Sequence, residues 1–134
     1  MQSRARLYCV PPGLSSQFWP YVEGMLRGAE RTRLLDIETV RRDVCEGGGL
    51  LWLAYGDGID GAAVTSLQSV SDNLYCVITA CGGHGIDHWI ALIEGIEAYA
   101  KAEGCRSVRI IGRKGWRRKL PDYAVTNFVF ERTL

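Results

Sequence analysis

The densest potential chemistry in this chain lies in ten residues, ACGGHGIDHW at 80–89, where Gly82, Gly83 and Gly85 surround His84. Glycine lets a charged ligand approach the backbone closely. Free N–H groups at a helix start, together with the helix dipole, attract anions. Ala80, Gly82, Gly83, His84 and Gly85 are therefore the candidate residues for holding a phosphate-bearing cofactor. Cys81, His84 and His88 also have a metal-like spacing, but no fourth ligand falls nearby, and structural zinc takes four protein ligands. No metal is expected. A histidine here could instead act as a base, because its pKa lies near neutrality. The plain alternative is a turn between a strand and a helix. Asp87, at the expected helix start, would cap those amides itself and repel a pyrophosphate.

Other reactive residue types are more scattered. Between Lys101 and Lys119 there are eight basic residues and one acid, Glu103, a local field for anions. Arg113, Lys114, Arg117, Arg118 and Lys119 could meet phosphates, nucleic acid or a protein partner, or form a solvated face with Trp116 anchored in the core. Nucleic acid would need a broader basic surface, so it is not expected. Glu46, Asp57, Asp60 and Asp72 sit at strand ends or turns where a base could be needed, and spacing singles out none of them. Cys81 beside glycines reads as packed rather than nucleophilic.

The bulk composition is ordinary: 134 residues, 47% hydrophobic, 23% charged, formal net charge +1. This suits one domain, 1–134, with one core. No run reaches the length of a membrane span, and the start lacks the apolar stretch of a secretion signal. Five scattered cysteines read as reduced, which points to a cytoplasmic setting.

The elements that must position these residues follow from periodicity. Residues 5–10 read as a strand. Helices are expected over 14–27, capped by Ser15 or Ser16 with Pro20 in the first turn, and over 36–45, opened by Asp36 and closed by Gly47–Gly49. Strands follow at 50–55 and 62–70 around a glycine-rich turn at 56–61, then at 74–80, apolar on both faces. A long helix over 87–103 buries Trp89, Leu92, Ile93, Ile96 and Ala100. A strand at 105–111, a short segment carrying Trp116 and a last strand at 127–132 complete the order. Tight turns make the central strands antiparallel, while the long helix makes 74–80 and 105–111 a parallel crossover pair. The fold class is α/β, a mixed twisted sheet of about six strands with helices on both faces. Its core centre is expected at Val77, Ile78, Trp89, Ile93, Ile96, Val108 and Ile110.

That order resembles the GNAT acetyltransferase superfamily across nearly the whole chain. In that family the loop after the fourth strand reads Arg/Gln-x-x-Gly-x-Gly/Ala, and its amides hold the pyrophosphate of acetyl-coenzyme A. The matching positions are Ala80, Gly83 and Gly85, with alanine where the family has Arg or Gln. Residues 99–120, YAKAEGCRSVRIIGRKGWRRKL, look like a stretch of short GNAT-like proteins encoded by tailed bacteriophages. The family's tyrosine general acid is matched loosely by Tyr123.

The resemblance implies an acyl-coenzyme A-dependent N-acetyltransferase of phage origin, with acetyl-coenzyme A as cofactor and an unknown amine as acceptor. A backbone N–H of the 74–80 strand would polarise the thioester carbonyl. The alternative it implies is a non-catalytic phage protein in virion assembly or structure, or an inhibitor of a host protein, residing in the host cytoplasm or the virion. Its partner would then be a phage or host protein.

Overall fold

Short apolar runs punctuated by glycine and proline become five strands of one sheet in the computed structural model, which describes residues 6–27, 36–56, 58–83 and 86–110, with only the backbone for 86–91. The strands are β1 (Arg6–Cys9), β2 (Leu50–Tyr55), β3 (Ile59–Val70), β4 (Asn73–Gly83) and β5 (Ser107–Ile110), in the spatial order β1-β2-β3-β4-β5. β2–β3 and β3–β4 are antiparallel and β4–β5 is parallel, as the connection lengths predict, and β1 pairs antiparallel with β2. The segment carrying Trp116 and the strand expected at 127–132 lie outside the described residues.

The helices are α1 (Ser15–Leu26), α2 (Ile37–Cys45) and α3 (Ile86–Ala102). A single 3-10 turn, Pro12–Leu14, precedes α1, and neither Ser15 nor Ser16 caps it through its side chain. Ser15 is instead the first helical residue, fully buried, and Pro20 lies inside the helix rather than in its first turn. The Asp36 cap does form: its carboxylate accepts from the Glu38 N–H at 3.2 Å and from the Thr39 hydroxyl at 3.1 Å. Ile37, Val40 and Val44 then face inward at helical spacing. Gly47, at φ 88°, turns the chain out of α2, and the Gly48 N–H bonds the Asp43 carbonyl at 2.7 Å.

Two cores flank the sheet because side chains alternate along each strand. On one face Val22 and Leu26 of α1 and Val40 and Val44 of α2 pack on Leu51, Leu53, Ala62, Val64 and Ala80. On the other, Leu92, Ile93, Ile96 and Ala100 of α3 cover Trp52, Ala63, Cys76, Ile78 and Cys81. Each fully buried Leu or Ile side chain contributes about 1.5–3 kcal/mol. The Trp52 indole N–H is satisfied by Thr65 Oγ1 at 2.9 Å, and Tyr99 meets Trp52 edge-on at 5.1 Å. Of the expected core centre, Val77, Ile78, Ile93 and Ile96 are buried, whereas Val108 and Ile110 are only partly covered. The Trp89 side chain is outside the described residues.

The sheet differs from expectation at one end. β3 begins at Ile59 and β4 runs on to Gly83, so residues assigned to turns at 59–61 and 81–83 are paired strand. Gly61 faces Gly83 and Ala62 faces Gly82. Glycine-rich stretches signal turns when read alone, but facing glycines also permit two backbones to approach closely.

Candidate functional site

One irregularity in β4 marks the candidate site. Its antiparallel ladder with β3 runs to Gly61–Gly83, and its parallel ladder with β5 is described as far as Ile78–Ile110, where Ile110 is the last described residue. Between Ile78 and Ala80 the register with β3 shifts, since Val64 faces Ala80 and Thr65 faces Ile78. Thr79 is thus the extra residue of a β-bulge, and its hydroxyl donates to the Val64 carbonyl at 3.3 Å. The bulge reverses the alternation: Cys76 and Ile78 belong to the α3-side core, yet Ala80 belongs to the opposite one and Cys81 returns to the α3 side.

β4 runs to Gly83, and α3 is described from Ile86. The free amides of a helix N-terminus lie there by construction. Asp87, read as the cap, is instead the second residue of the helix. Of the five sequence-predicted binding residues, Ala80, Gly82 and Gly83 are strand residues at the end of β4. His84, Gly85 and the proposed acid Tyr123 lie outside the described residues.

Local packing explains part of the glycine pattern. A Cβ on Gly82 would collide with the Met25 carbonyl of α1, and one on Gly83 would come within 2.5 Å of the Asp60 carbonyl and 2.7 Å of Gly61 Cα. Both positions demand glycine whatever they bind. Ala80 is 1% exposed and packs in the α1–α2 core, so its side chain is turned away from solvent.

Other candidates do not converge. Among the described residues no group of three or more His, Cys, Asp or Glu side chains gathers as a metal site. Glu46 ends α2, Asp60 is the bulged residue of β3 and Asp72 sits in the β3–β4 turn. Burial pushes the Cys76 thiol up to about 11, with Cys105 adding to the rise. Burial likewise raises Cys9 and Cys105. All three stay protonated near neutrality, the opposite of an activated nucleophile. Sequence reading missed the Thr79 bulge because a bulge leaves no compositional mark in an apolar run. It also missed Arg109, whose guanidinium lies 3.9 Å over the Tyr75 ring.

No family model matches this chain, and no curated protein matches it. Solved structures do. A GNAT family acetyltransferase of Staphylococcus aureus superposes with a TM-score of 0.67 at 11% identity, over 98% of this chain and 99% of that one. An aminoglycoside acetyltransferase from an uncultured soil metagenomic sample, in complex with sisomicin, gives 0.66 at 14% identity over 96% and 95%. A predicted acetyltransferase of Clostridium acetobutylicum, with acetyl-CoA, gives 0.65 at 9% identity over 96% and 94%. The described sheet and helices have the fold of the GNAT acetyltransferases.

Proposed function

We propose that the chain is an acyl-coenzyme A-dependent N-acetyltransferase of phage origin. The observation that carries the reading is the β-bulge at Thr79, on the strand that runs to Gly83 just ahead of α3, in a sheet-and-helix arrangement shared with acetyltransferases. The coenzyme, when bound, would supply an activated acyl thioester. The amides after Gly83, with His84 and Gly85, would hold its pyrophosphate. An N–H of the bulged strand would polarise the thioester oxygen, where charge develops during attack. Tyr123 is the proposed proton donor to the departing sulfur. Phage origin rests on the resemblance of residues 99–120.

A second reading, a non-catalytic GNAT-shaped phage protein used in assembly or against a host protein, is favoured by a different observation. Ala80 is buried, and Gly82 and Gly83 have packing reasons to be glycine.

Gly83→Asp is a poor probe of binding, since any Cβ there disturbs β3. Truncating the ligand separates the readings cleanly. Calorimetry should show micromolar binding of acetyl-coenzyme A and at least about tenfold weaker binding of S-acetylpantetheine, which lacks the pyrophosphate. No heat with millimolar acetyl-coenzyme A would sink the transferase reading in favour of the second.

A further inference from the structure

Trp19 and Trp52 make the same demand in two different cores. The two residues are almost wholly buried, 4% and 5% exposed, and each indole carries one N–H that can only donate. Trp52 gives its proton to Thr65 Oγ1 at 2.9 Å. Trp19, on α1, has no acceptor for Nε1 among the described residues. Ser15 Oγ, on the same helix, is also buried there without a partner.

The two groups belong together. They are four residues apart and both buried, so one helical turn separates them on the inner face of α1. A long helical side chain leans back over the turn before it, which carries the Trp19 ring towards Ser15. The rest of this core, with Phe18 at its edge, is built from Val, Leu, Ile and Ala side chains. None of these can accept a hydrogen bond. Native interiors seldom leave one buried donor unanswered, let alone two on one helical turn.

Burial and chemistry together define what can answer them. Both atoms are sealed from solvent, and the groove beside Gly47–Gly49 and Tyr99 is lined by neither residue. No charged side chain belongs to the cluster, and an unpaired ion in an apolar interior costs far more than a dipole. Water meets these limits: it enters through brief local openings and takes about 2–4 polar partners. Further acceptors stand in the turn before Ser15. The carbonyls of Pro11 and Pro12 take the Leu14 and Ser15 amides and keep a second lone pair each.

We infer that Ser15 Oγ and Trp19 Nε1 hold one buried water molecule on the inner face of α1. The water accepts from the indole N–H and shares a hydrogen bond with the Ser15 hydroxyl. Its remaining hydrogen goes to a Pro11 or Pro12 carbonyl. It fastens the start of α1, which no side chain caps, at the end of the helix away from the Met25–Gly82 approach. The site stands independently of the transferase reading.

Indole protons report on the site directly, and Trp52 is the internal control. In isotope-labelled whole chain, rotating-frame Overhauser spectra should show a cross-peak between the Trp19 indole proton and water. Its sign should mark a dipolar contact rather than proton exchange, and Trp19→Phe assigns it. Trp52, which sits against a hydroxyl but already has its acceptor, should show none. Ser15→Ala should remove the Trp19 peak and leave the Trp52 signal unchanged. A crystal structure should place one ordered oxygen about 2.7–3.2 Å from both atoms, and this decides the matter if Ser15→Ala does not fold. No water peak at Trp19, or a peak that survives Ser15→Ala, would overturn the inference. So would equal peaks at both indoles, the mark of relay through a hydroxyl, or a crystal structure in which Trp19 bonds Ser15 or a carbonyl directly.

Discussion

Gly82 of β4 lies directly beneath the main-chain carbonyl of Met25, near the end of α1, with no space between them for a Cβ. The contact ties the first long helix to the strand that leads into the candidate cofactor loop. Gly82→Ala must push α1 away or bend β4, and crowding of this kind costs about 1–3 kcal/mol. Urea denaturation should show a lower midpoint with an unchanged slope. Wild-type stability in this variant would mean that the approach is looser than described.

The β3–β4 turn places two non-glycine residues in the left-handed region, Ser71 at φ 51° and Asp72 at φ 66°. Successive positive φ values between paired Val70 and Asn73 define a two-residue hairpin turn for which Asn-Gly is preferred. Ser71→Asn with Asp72→Gly should therefore stabilise the protein by roughly 0.5–1 kcal/mol, since a left-handed residue with a Cβ carries a penalty of that order or more. Thermal melting read by circular dichroism checks the sign: a lower melting temperature would contradict it.

The buried bond from Trp52 Nε1 to Thr65 Oγ1 at 2.9 Å joins β2 to β3 inside the α3-side core. Thr65→Val keeps the shape and removes the acceptor, leaving the indole N–H unsatisfied at a cost of about 1–3 kcal/mol. Adding Trp52→Phe should restore part of the loss attributable to that orphaned donor. The measurement is a double-mutant cycle on unfolding free energies, and strict additivity would show that the bond contributes nothing.

The Cys76 thiol, with an ordinary value of 9.0 raised to about 11 in the fold, gives a pH dependence of definite sign. The neutral thiol is the favoured buried form, so its contribution is complete below pH 9 and is lost as pH rises from 9 towards 11. Cys76→Ala should be less stable at neutral pH because a cavity opens, yet its stability should fall less steeply over that alkaline interval. Parallel pH profiles for the two proteins would place the Cys76 titration elsewhere.

Much of this fold was legible because periodicity and turn chemistry agreed. Asp36 before Ile37, Val40 and Val44 announced α2, and the two-sided apolar run at Cys76–Ile78 announced a central strand. What escaped was governed by facing partners. Gly61 and Gly83 each signal a turn when read alone, and only their pairing across β3 and β4 reveals a strand that tolerates close backbones. Of the candidate loop, residues 80–83 prove to be strand, while His84 and Gly85 lie outside the described residues. The Thr79 bulge depends on register, and register is a relation between strands that local composition does not carry.

Leu7 of β1 occupies a notch in α3 at Gly95, where a methyl group would overlap its Cδ2. β1 is also an edge strand, hydrogen-bonded only through β2 among the described strands. The beginning of the chain is thus seated by a helix made long after it. During synthesis the first strand gains its neighbour β2 once residues 50–55 are made, but it lacks its notch until the ribosome has released residues beyond Gly95. The N-terminal segment should accordingly be among the last described parts to gain protection, and stalled chains ending before Gly95 should be clipped there first by protease.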